Sequence, residues 1–62
     1  MGTKLKELRE QAILSQRDLA EKAGVSYATI CRLETGKQKP NFKTIRKLAE
    51  ALDVHPGDIE FE

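Results

Sequence analysis

The apolar residues of the chain recur at spacings of three and four, which predicts a series of short helices. The first predicted helix runs from about Thr3 to Ala12, and the second begins after Ser15. The positions expected to face the core from these two helices are Leu5, Leu8, Ala12, Leu19, Ala20 and Ala23. Ser15 and Asp18 have the spacing of a capping box. Gly24 is placed to adopt the left-handed conformation that ends a helix.

Three further helices complete the pattern. Ser26 can cap the third helix, Ser26–Thr35, which Gly36 then stops. Asn41 can cap a fourth helix, and Pro56 suits the first position of a short fifth one. The apolar stripe of the fourth helix is expected to be Phe42, Ile45, Leu48, Ala49 and Leu52. We therefore expect one all-α domain over residues 1–62, folded as a compact five-helix bundle.

The third predicted helix has two sides of different chemistry. With Ile30 directed inward, Leu33 and Glu34 follow on the same side, three and four residues later. Ala28, Arg32 and Thr35 point the opposite way, Cys31 lies on the flank, and Tyr27 is at the exposed N-terminal tip. An arginine can bond a guanine edge with two hydrogen bonds, and small residues let the backbone approach the bases. Two helices joined by a tight turn, the second with a free polar side, are typical of a domain that presents a helix to the major groove of DNA.

Two opposite charges lie on apolar stripes. Arg9 falls beside the inward positions of the first helix, and Glu34 falls on the inward side of the third. An unpaired buried charge is very costly, so two opposite charges directed into the same small core should find each other. The sequence therefore predicts a structural ion pair between Arg9 and Glu34.

The small size of the chain limits how its stability can arise. A domain of 62 residues buries too little surface to be more than marginally stable without a supplement. Cys31 is the only cysteine and His55 the only histidine, so neither an internal disulfide nor a metal site is expected. Oligomerisation is then the expected supplement. Cys31 is interpreted as a small uncharged flank residue rather than a redox switch, since no second cysteine could resolve an oxidised form.

Several classes of protein are not indicated by the sequence. No apolar run near the start is long enough for a signal or membrane segment, so a cytoplasmic protein without a membrane partner is expected. There is no glycine-rich phosphate loop and no plausible pair of nucleophile and base. We therefore expect no enzymatic activity and no cofactor.

The net charge of +1 conceals an uneven distribution. Residues 1–46 hold ten Lys or Arg and five Asp or Glu, a net +5, whereas residues 47–62 hold one Lys and five acids, a net −4. This asymmetry suggests a basic side that faces a polyanion and an acidic end that faces away. Four apolar residues near the acidic end could complete the core or form a two-fold dimer face: Leu52, Val54, Ile59 and Phe61.

Short motifs occur in a fixed order from Leu5 to Ile59. They are Leu14-Ser15-Gln16, Leu19-Ala20, Gly24-Val25-Ser26, Thr29-Ile30, Arg32-Leu33-Glu34, Gly36-Lys37, Pro40 and Leu48-Ala49-Glu50-Ala51-Leu52. Together they resemble the phage repressor/Cro-type helix-turn-helix family, also called the xenobiotic-response-element type. The resemblance implies a lambda-repressor-like bundle that regulates transcription by binding a specific double-stranded DNA sequence. It further implies a repressor that binds a near-palindromic operator as a homodimer, with the helix Ser26–Thr35 in the major groove.

The resemblance also implies roles for individual residues. Gln16 would bond a phosphate and brace the first residue of the third helix. The positions implied to contact bases are Tyr27, Ala28, Cys31 and Arg32, and those implied to contact phosphates are Gln16, Ser26, Thr35, Lys37, Lys39, Lys43 and Thr44. Well-known phage members often carry a Gln pair where this chain has Tyr27-Ala28, so their base preference does not transfer. An alternative function for the same fold is an antitoxin that neutralises a partner protein and autoregulates its operon.

Overall fold

A computed structural model describes residues 2–61 of the chain. Met1 and Glu62, the latter counted above in the acidic end, lie outside the described residues. The described chain begins with a two-residue strand and ends with another, and four α-helices lie between them. In order, the elements are β1 (Thr3–Lys4), α1 (Leu5–Gln11), α2 (Gln16–Ala23), α3 (Tyr27–Glu34), α4 (Phe42–Leu52), a 3-10 turn (Pro56–Asp58) and β2 (Ile59–Glu60).

The predicted helical class is confirmed, but the predicted number of five helices is wrong. The fifth helix is only the 3-10 turn Pro56–Asp58, capped by His55, whose Nδ1 accepts a hydrogen bond from the Gly57 N–H at 3.1 Å. Three residues are fewer than the roughly 3.6 that complete one α-helical turn. The chain then becomes extended and enters β2. The first helix begins at Leu5 and not at Thr3, because the two residues before it are paired with β2.

A parallel strand pair joins the two ends of the described chain. Thr3 of β1 is in register with Ile59 of β2. The backbones approach so closely that a Cβ added at Gly2 would lie 3.0 Å from the Glu60 nitrogen and 3.1 Å from the Asp58 oxygen. Glycine fits this point because it has no Cβ. The sequence pattern did not predict the pairing, since two-residue strands are too short to show an alternation of apolar and polar positions.

The core lies between the four helices and β2. Its largest fully buried side chains are Leu19, Ile30 and Leu48, one each from α2, α3 and α4. The complete buried set is Leu5, Leu19, Ala20, Ala23, Ile30, Leu33, Leu48, Ala49, Ala51, Leu52 and Ile59. Burial of a leucine or isoleucine side chain contributes about 1.5–3 kcal/mol. These contacts fix α3 against α2. The contact between α2 and α3 is the most extensive one between two helices of the domain.

Two residues that the pattern placed in the core lie on the surface. Phe42 is 88% exposed, and Ala12 is also exposed. Phe42 is the first residue of α4, and Ala12 directly follows the last residue of α1. The apolar spacing of each helix extends to its terminus, but the hydrophobic core does not reach that far. The inward assignment of both residues was therefore wrong.

Each of the four α-helices ends in a Schellman motif. The residues with left-handed φ at these ends are Ile13 (57°), Gly24 (72°), Gly36 (76°) and Asp53 (56°). The N–H of the residue after each of them donates to the carbonyl five residues back, at 3.2, 2.9, 2.9 and 3.0 Å in the same order. Glycine adopts this conformation without penalty. Ile13 and Asp53 adopt it in spite of their Cβ atoms.

Candidate nucleic-acid interface

The unit formed by α2, the turn and α3 begins and ends as the sequence predicts. Ser15 Oγ accepts a hydrogen bond from the Asp18 N–H at 3.0 Å, and Asp18 Oδ2 accepts one from the Ser15 N–H at 3.1 Å, which confirms the capping box. Gly24 ends α2 with its left-handed φ, and a Cβ added there would meet no atom within 4 Å. The glycine is therefore favoured by backbone conformation and not by lack of space. Ser26 caps α3, as predicted.

The two sides of α3 have different surroundings. Ile30 and Leu33 are buried in the core, and the Glu34 side chain is only 4% exposed. Of the residues implied to contact bases, Tyr27, Ala28 and Arg32 are exposed, and Cys31 is half-buried. The structure thus brings these four residues onto one continuous part of α3 that the core leaves accessible.

Arg9 and Glu34 connect α1 to α3. Arg9 Nε donates to Glu34 Oε2 at 2.7 Å, and a terminal guanidinium nitrogen donates to Oε1 at 3.3 Å. The other terminal nitrogen donates to the Leu14 carbonyl at 2.8 Å. The hydrogen bond to Glu34 raises the pKa of Arg9 above its usual value, although partial burial opposes this shift. The guanidinium therefore stays charged, and both oxygens of the carboxylate have a donor.

Gln16 lies between this ion pair and the accessible side of α3. Its Nε2 donates to Glu34 Oε1 at 3.1 Å, and its Oε1 accepts a hydrogen bond from Cys31 Sγ at 3.5 Å. Since a carboxylate can only accept, Glu34 orients the amide with its nitrogen inward and its oxygen towards Cys31. The family resemblance implied that Gln16 braces the first residue of α3. In the structure it contacts Cys31 and Glu34 of that helix.

Tyr27 is in contact with two other side chains. A hydrogen bond with Cys31 raises the pKa of the Tyr27 hydroxyl above its usual value, and the charge of the Cys31 sulfur, once deprotonated, acts in the same direction. On the ring, the guanidinium carbon of Arg17 lies 5.3 Å from the centroid, within the range of a cation–π contact. Sequence reasoning did not single out Arg17. No spacing rule relates residues ten apart across a turn, so only the tertiary structure identifies this contact.

The hydroxyls implied to contact phosphates already take part in helix ends. Ser26 Oγ accepts from the Thr29 N–H at 3.2 Å and lies 2.7 Å from Thr29 Oγ1. Thr35 Oγ1 donates to the Cys31 carbonyl at 2.9 Å. The single hydroxyl proton of Thr35 is thus used within α3. A phosphate contact through this hydroxyl would replace that hydrogen bond.

The segment between α3 and α4 is basic and accessible. Lys37 and Lys39 are exposed, as is Lys43 in the first turn of α4. Thr44 is half-buried, and its N–H donates to the capping oxygen of Asn41 at 2.8 Å. Lys37 directly follows Gly36, the left-handed residue after α3, so the basic segment begins at the C-terminal end of that helix.

The four apolar residues near the acidic end divide into two pairs. Leu52 and Ile59 belong to the buried core, with 8% and 7% of their surface exposed. Val54 and Phe61 are half-buried and pack against that core. Of these four residues, Val54 and Phe61 are therefore the two that retain appreciable surface for a second copy of the chain to cover.

Two further properties bear on the class of protein. Among residues 2–61, no three His, Cys, Asp or Glu side chains are grouped so that they could hold a metal ion. In the same part of the chain, no helix is both long and apolar enough to cross a membrane.

The geometry of α2 and α3 defines a helix-turn-helix domain, in which the second helix is fixed on one side and accessible on the other. Comparison with known families agrees, since residues 5–59 match the family described as Helix-turn-helix. The chain therefore belongs to the Cro/C1-type helix-turn-helix family, as the resemblance in the sequence predicted.

Proteins similar to this chain are named as regulators of transcription. It is 44% identical over 59 residues to an HTH-type transcriptional regulator of Methanocaldococcus jannaschii, covering 95% of this chain and 89% of that protein. It is 48% identical over 54 residues to the HTH-type transcriptional repressor RghR of Bacillus subtilis, covering 86% of this chain but only 40% of RghR. Among solved structures, the restriction-modification controller protein C.AhdI from Aeromonas hydrophila is 37% identical. It superposes with a TM-score of 0.85, covering 87% of this chain and 82% of C.AhdI.

Proposed function

We propose that this chain represses transcription by binding a specific double-stranded DNA sequence as a homodimer, with α3 in the major groove. The observation that carries the proposal is the division of α3 into two sides. Ile30 and Leu33 pack in the core and Glu34 is bonded to two other helices, while Tyr27, Ala28 and Arg32 remain accessible. Base contacts need side chains in fixed positions, and a helix anchored in this way supplies them.

Within this proposal, the accessible residues have different tasks. Arg32 can bond a guanine through two hydrogen bonds, and Ala28 allows close approach and can contact a thymine methyl group. Tyr27 and Cys31 complete the base-contacting set. The phosphate-contacting set is Gln16, Ser26, Thr35, Lys37, Lys39, Lys43 and Thr44. Phosphate contacts position a domain on the duplex, whereas base contacts specify the sequence.

The size of the domain supports binding by two copies. Its largest dimension is 26 Å. The half-sites of a helix-turn-helix dimer lie about 34–36 Å apart, one turn of the duplex. One copy therefore covers one half-site, and a second copy is needed for the next major groove on the same face. The similarity to RghR, which is named a transcriptional repressor, supports repression as the outcome.

The specificity is tested by selecting duplexes from a random-sequence pool with the purified chain. The expected result is a short, nearly palindromic consensus whose half-sites are about one helical turn apart. Arg32→Ala should weaken binding by about 1–3 kcal/mol and relax the preference at one base pair in each half-site. No consensus, or a consensus that Arg32→Ala leaves unchanged, would contradict the proposed placement of α3.

The phosphate contacts are tested by the salt dependence of binding to the selected duplex. Each phosphate contact contributes about −0.9 to the slope of log K against log salt concentration. Lys37→Ala or Lys39→Ala should therefore make the slope less steep by about 0.9 for each chain bound. Lys47→Ala is the matched control, since Lys47 is also exposed but lies in the acidic end of the chain. Equal slopes for all three variants would refute the proposed clamp.

The antitoxin function is not proposed. Several relatives with 34–48% identity are named HTH-type transcriptional regulators or repressors, so the comparisons favour regulation of transcription.

A further inference from the structure

The contact between Arg17 and Tyr27 connects the start of α2 with the start of α3. Arg17 is the second residue of α2 and Tyr27 is the first residue of α3. The guanidinium carbon lies 5.3 Å from the centroid of the Tyr27 ring. Both side chains are exposed, and both line a shallow surface pocket of about 270 Å³ between the two helices.

Arg17 contacts the ring although a carboxylate is nearby. Glu21, one helical turn further along α2, lines the same pocket. Nevertheless, no ion pair and no hydrogen bond of the Arg17 guanidinium is found among residues 2–61, where Glu34 pairs with Arg9. Within residues 2–61, no carboxylate oxygen therefore lies within 4.0 Å of the Arg17 guanidinium.

A guanidinium in this position can make two contacts at once. The side of the group that contacts a ring does not use its hydrogen bonds, since its five N–H donors lie in the plane of the guanidinium. Those donors match a phosphate, which they can bond in pairs. The contact with the ring therefore leaves the donors of Arg17 available to a ligand outside the protein.

We propose that Arg17 binds a backbone phosphate at the edge of the major groove while it positions Tyr27 against the bases. This inference rests on the proposed function. In a helix-turn-helix domain, the first helix crosses the backbone and the N-terminal residues of the second contact base edges. A cation that joins the start of α2 to the start of α3 lies where these two contacts meet. Arg17 couples the affinity for the backbone to the choice of base pair by Tyr27.

Tyr27 lies beside side chains of both helices, which favours such positioning. Arg17 lies over its ring, and Cys31 follows one helical turn further along α3. Cys31 is in turn bonded to Gln16, whose amide is oriented by Glu34. The ring thus has Arg17 over it, and its neighbour Cys31 is bonded through Gln16 to the Arg9–Glu34 pair.

The phosphate contact is tested with the duplex selected by the unmodified chain. Binding is measured as a function of salt for Arg17→Ala, Arg17→Lys and the matched control Lys22→Ala. Lys22 is an exposed cation on the same helix, about 140° away from Arg17 around the helix axis. Arg17→Ala should make the slope less steep by about 0.9 for each chain bound, whereas Arg17→Lys and Lys22→Ala should leave it unchanged. A slope for Arg17→Ala equal to that of Lys22→Ala would overturn the phosphate contact.

The positioning of Tyr27 is tested by base-pair discrimination. Tyr27→Leu first identifies the base pair whose preference depends on the ring. Arg17→Lys, which retains the charge, should reduce discrimination at that base pair about two- to fivefold and leave the other positions unchanged. In the Tyr27→Leu background, Arg17→Lys should have no further effect on discrimination. Equal losses at all positions, or none, would overturn the coupling.

The outcomes also separate this inference from the function on which it rests. If the unmodified chain selects no duplex, the proposed function fails and the variants are not needed to show it. If the unmodified chain binds a consensus with steep salt dependence but Arg17→Ala behaves like Lys22→Ala, the function stands and the role of Arg17 is wrong. Circular dichroism of each variant confirms that the fold is retained, as expected for exposed residues outside the core.

Discussion

Glu34 accepts hydrogen bonds from two helices other than its own. Arg9 of α1 donates to both of its oxygens, and Gln16 of α2 donates to one of them. The carboxylate is 4% exposed, and the Arg9 side chain is 12% exposed. A single residue thus fixes the two helices that flank α3 and orients the amide of Gln16.

Loss of this carboxylate should strongly destabilise the domain. Glu34→Gln leaves the Arg9 cation partly buried without an anion, and we expect the free energy of unfolding in urea to fall by about 3–5 kcal/mol. This is a large share of the roughly 3–9 kcal/mol typical of a domain of this length. Glu21→Gln, which changes an exposed carboxylate of α2, should alter stability by less than about 0.5 kcal/mol. Equal effects of the two substitutions would show that the pair contributes no more than a surface charge.

The pKa of Tyr27 can be measured directly by ultraviolet absorbance, because Tyr27 is the only tyrosine and the chain has no tryptophan. Absorbance at alkaline pH should show that its pKa lies above the usual value. Cys31→Ala removes the hydrogen bond that favours the neutral phenol and should lower the pKa of Tyr27, whereas Arg17→Gln removes a nearby cation and should raise it. Because the folded state favours the neutral phenol, its stabilising contribution is present below the pKa of the unfolded chain and is lost as the pH rises through the folded value. Shifts in the same direction for both variants would contradict the two contacts.

At the scale of the helix and its ends, Ile13 combines two unfavourable properties. It adopts a left-handed φ of 57°, and its side chain is 88% exposed. A β-branched residue in this conformation is a conformational outlier. Gly24 occupies the equivalent position at the end of α2 without that strain. The same Schellman motif therefore differs in stability according to the residue that occupies its left-handed position.

Substitutions at these two positions should have opposite effects. Ile13→Gly relieves about 1–2 kcal/mol of backbone strain but adds flexibility to the unfolded chain, so we expect a net gain of about 0.5–1 kcal/mol. Gly24→Ala should destabilise by about 1–2 kcal/mol through backbone strain alone, since a Cβ there meets no neighbour. Thermal unfolding measures both, because 1 kcal/mol corresponds to about 4–8 °C for a domain of this size. A lower melting temperature for Ile13→Gly would show that the isoleucine makes a stabilising contact.

At the scale of the whole molecule, the first and last elements of the described residues, β1 and β2, lie together. The β1–β2 pair closes the bundle, and Phe61, which follows β2, packs against the core together with Val54. These two half-buried residues are the part of the predicted dimer face that retains accessible surface. We therefore place the proposed contact between copies there and not at Leu52 or Ile59, which are buried within one chain.

The two sets of residues can be distinguished by experiment. A Val54→Ser, Phe61→Ser double variant should shift the sedimentation of the chain from dimer towards monomer with little change in helical content. Leu52→Ala should instead lower the free energy of unfolding by about 2–5 kcal/mol, because it leaves a cavity in the core. A double variant that stays dimeric would exclude this face as the interface between copies.

Local patterns in the sequence were sufficient to predict α2 and α3. The capping box of Ser15 and Asp18, the left-handed Gly24 and the cap at Ser26 all act within a few residues. Their energetics depend on near neighbours in the chain, so they can be recognised without knowing the fold. The pattern failed at the termini: Phe42 has the correct spacing for the core but lies beyond its edge, and β1 and β2 pair across nearly the whole chain.

The sequence by itself determined the helix-turn-helix class, the helix boundaries around the turn, and the two sides of α3. It also indicated that Arg9 and Glu34 should pair, because two opposite charges on apolar stripes of a single core have few alternatives. Only the tertiary structure decided that Gln16 joins this pair to Cys31, and that Arg17 lies over Tyr27. The physical reason is that these contacts depend on the angle and distance between helices, which core packing sets and no local spacing encodes.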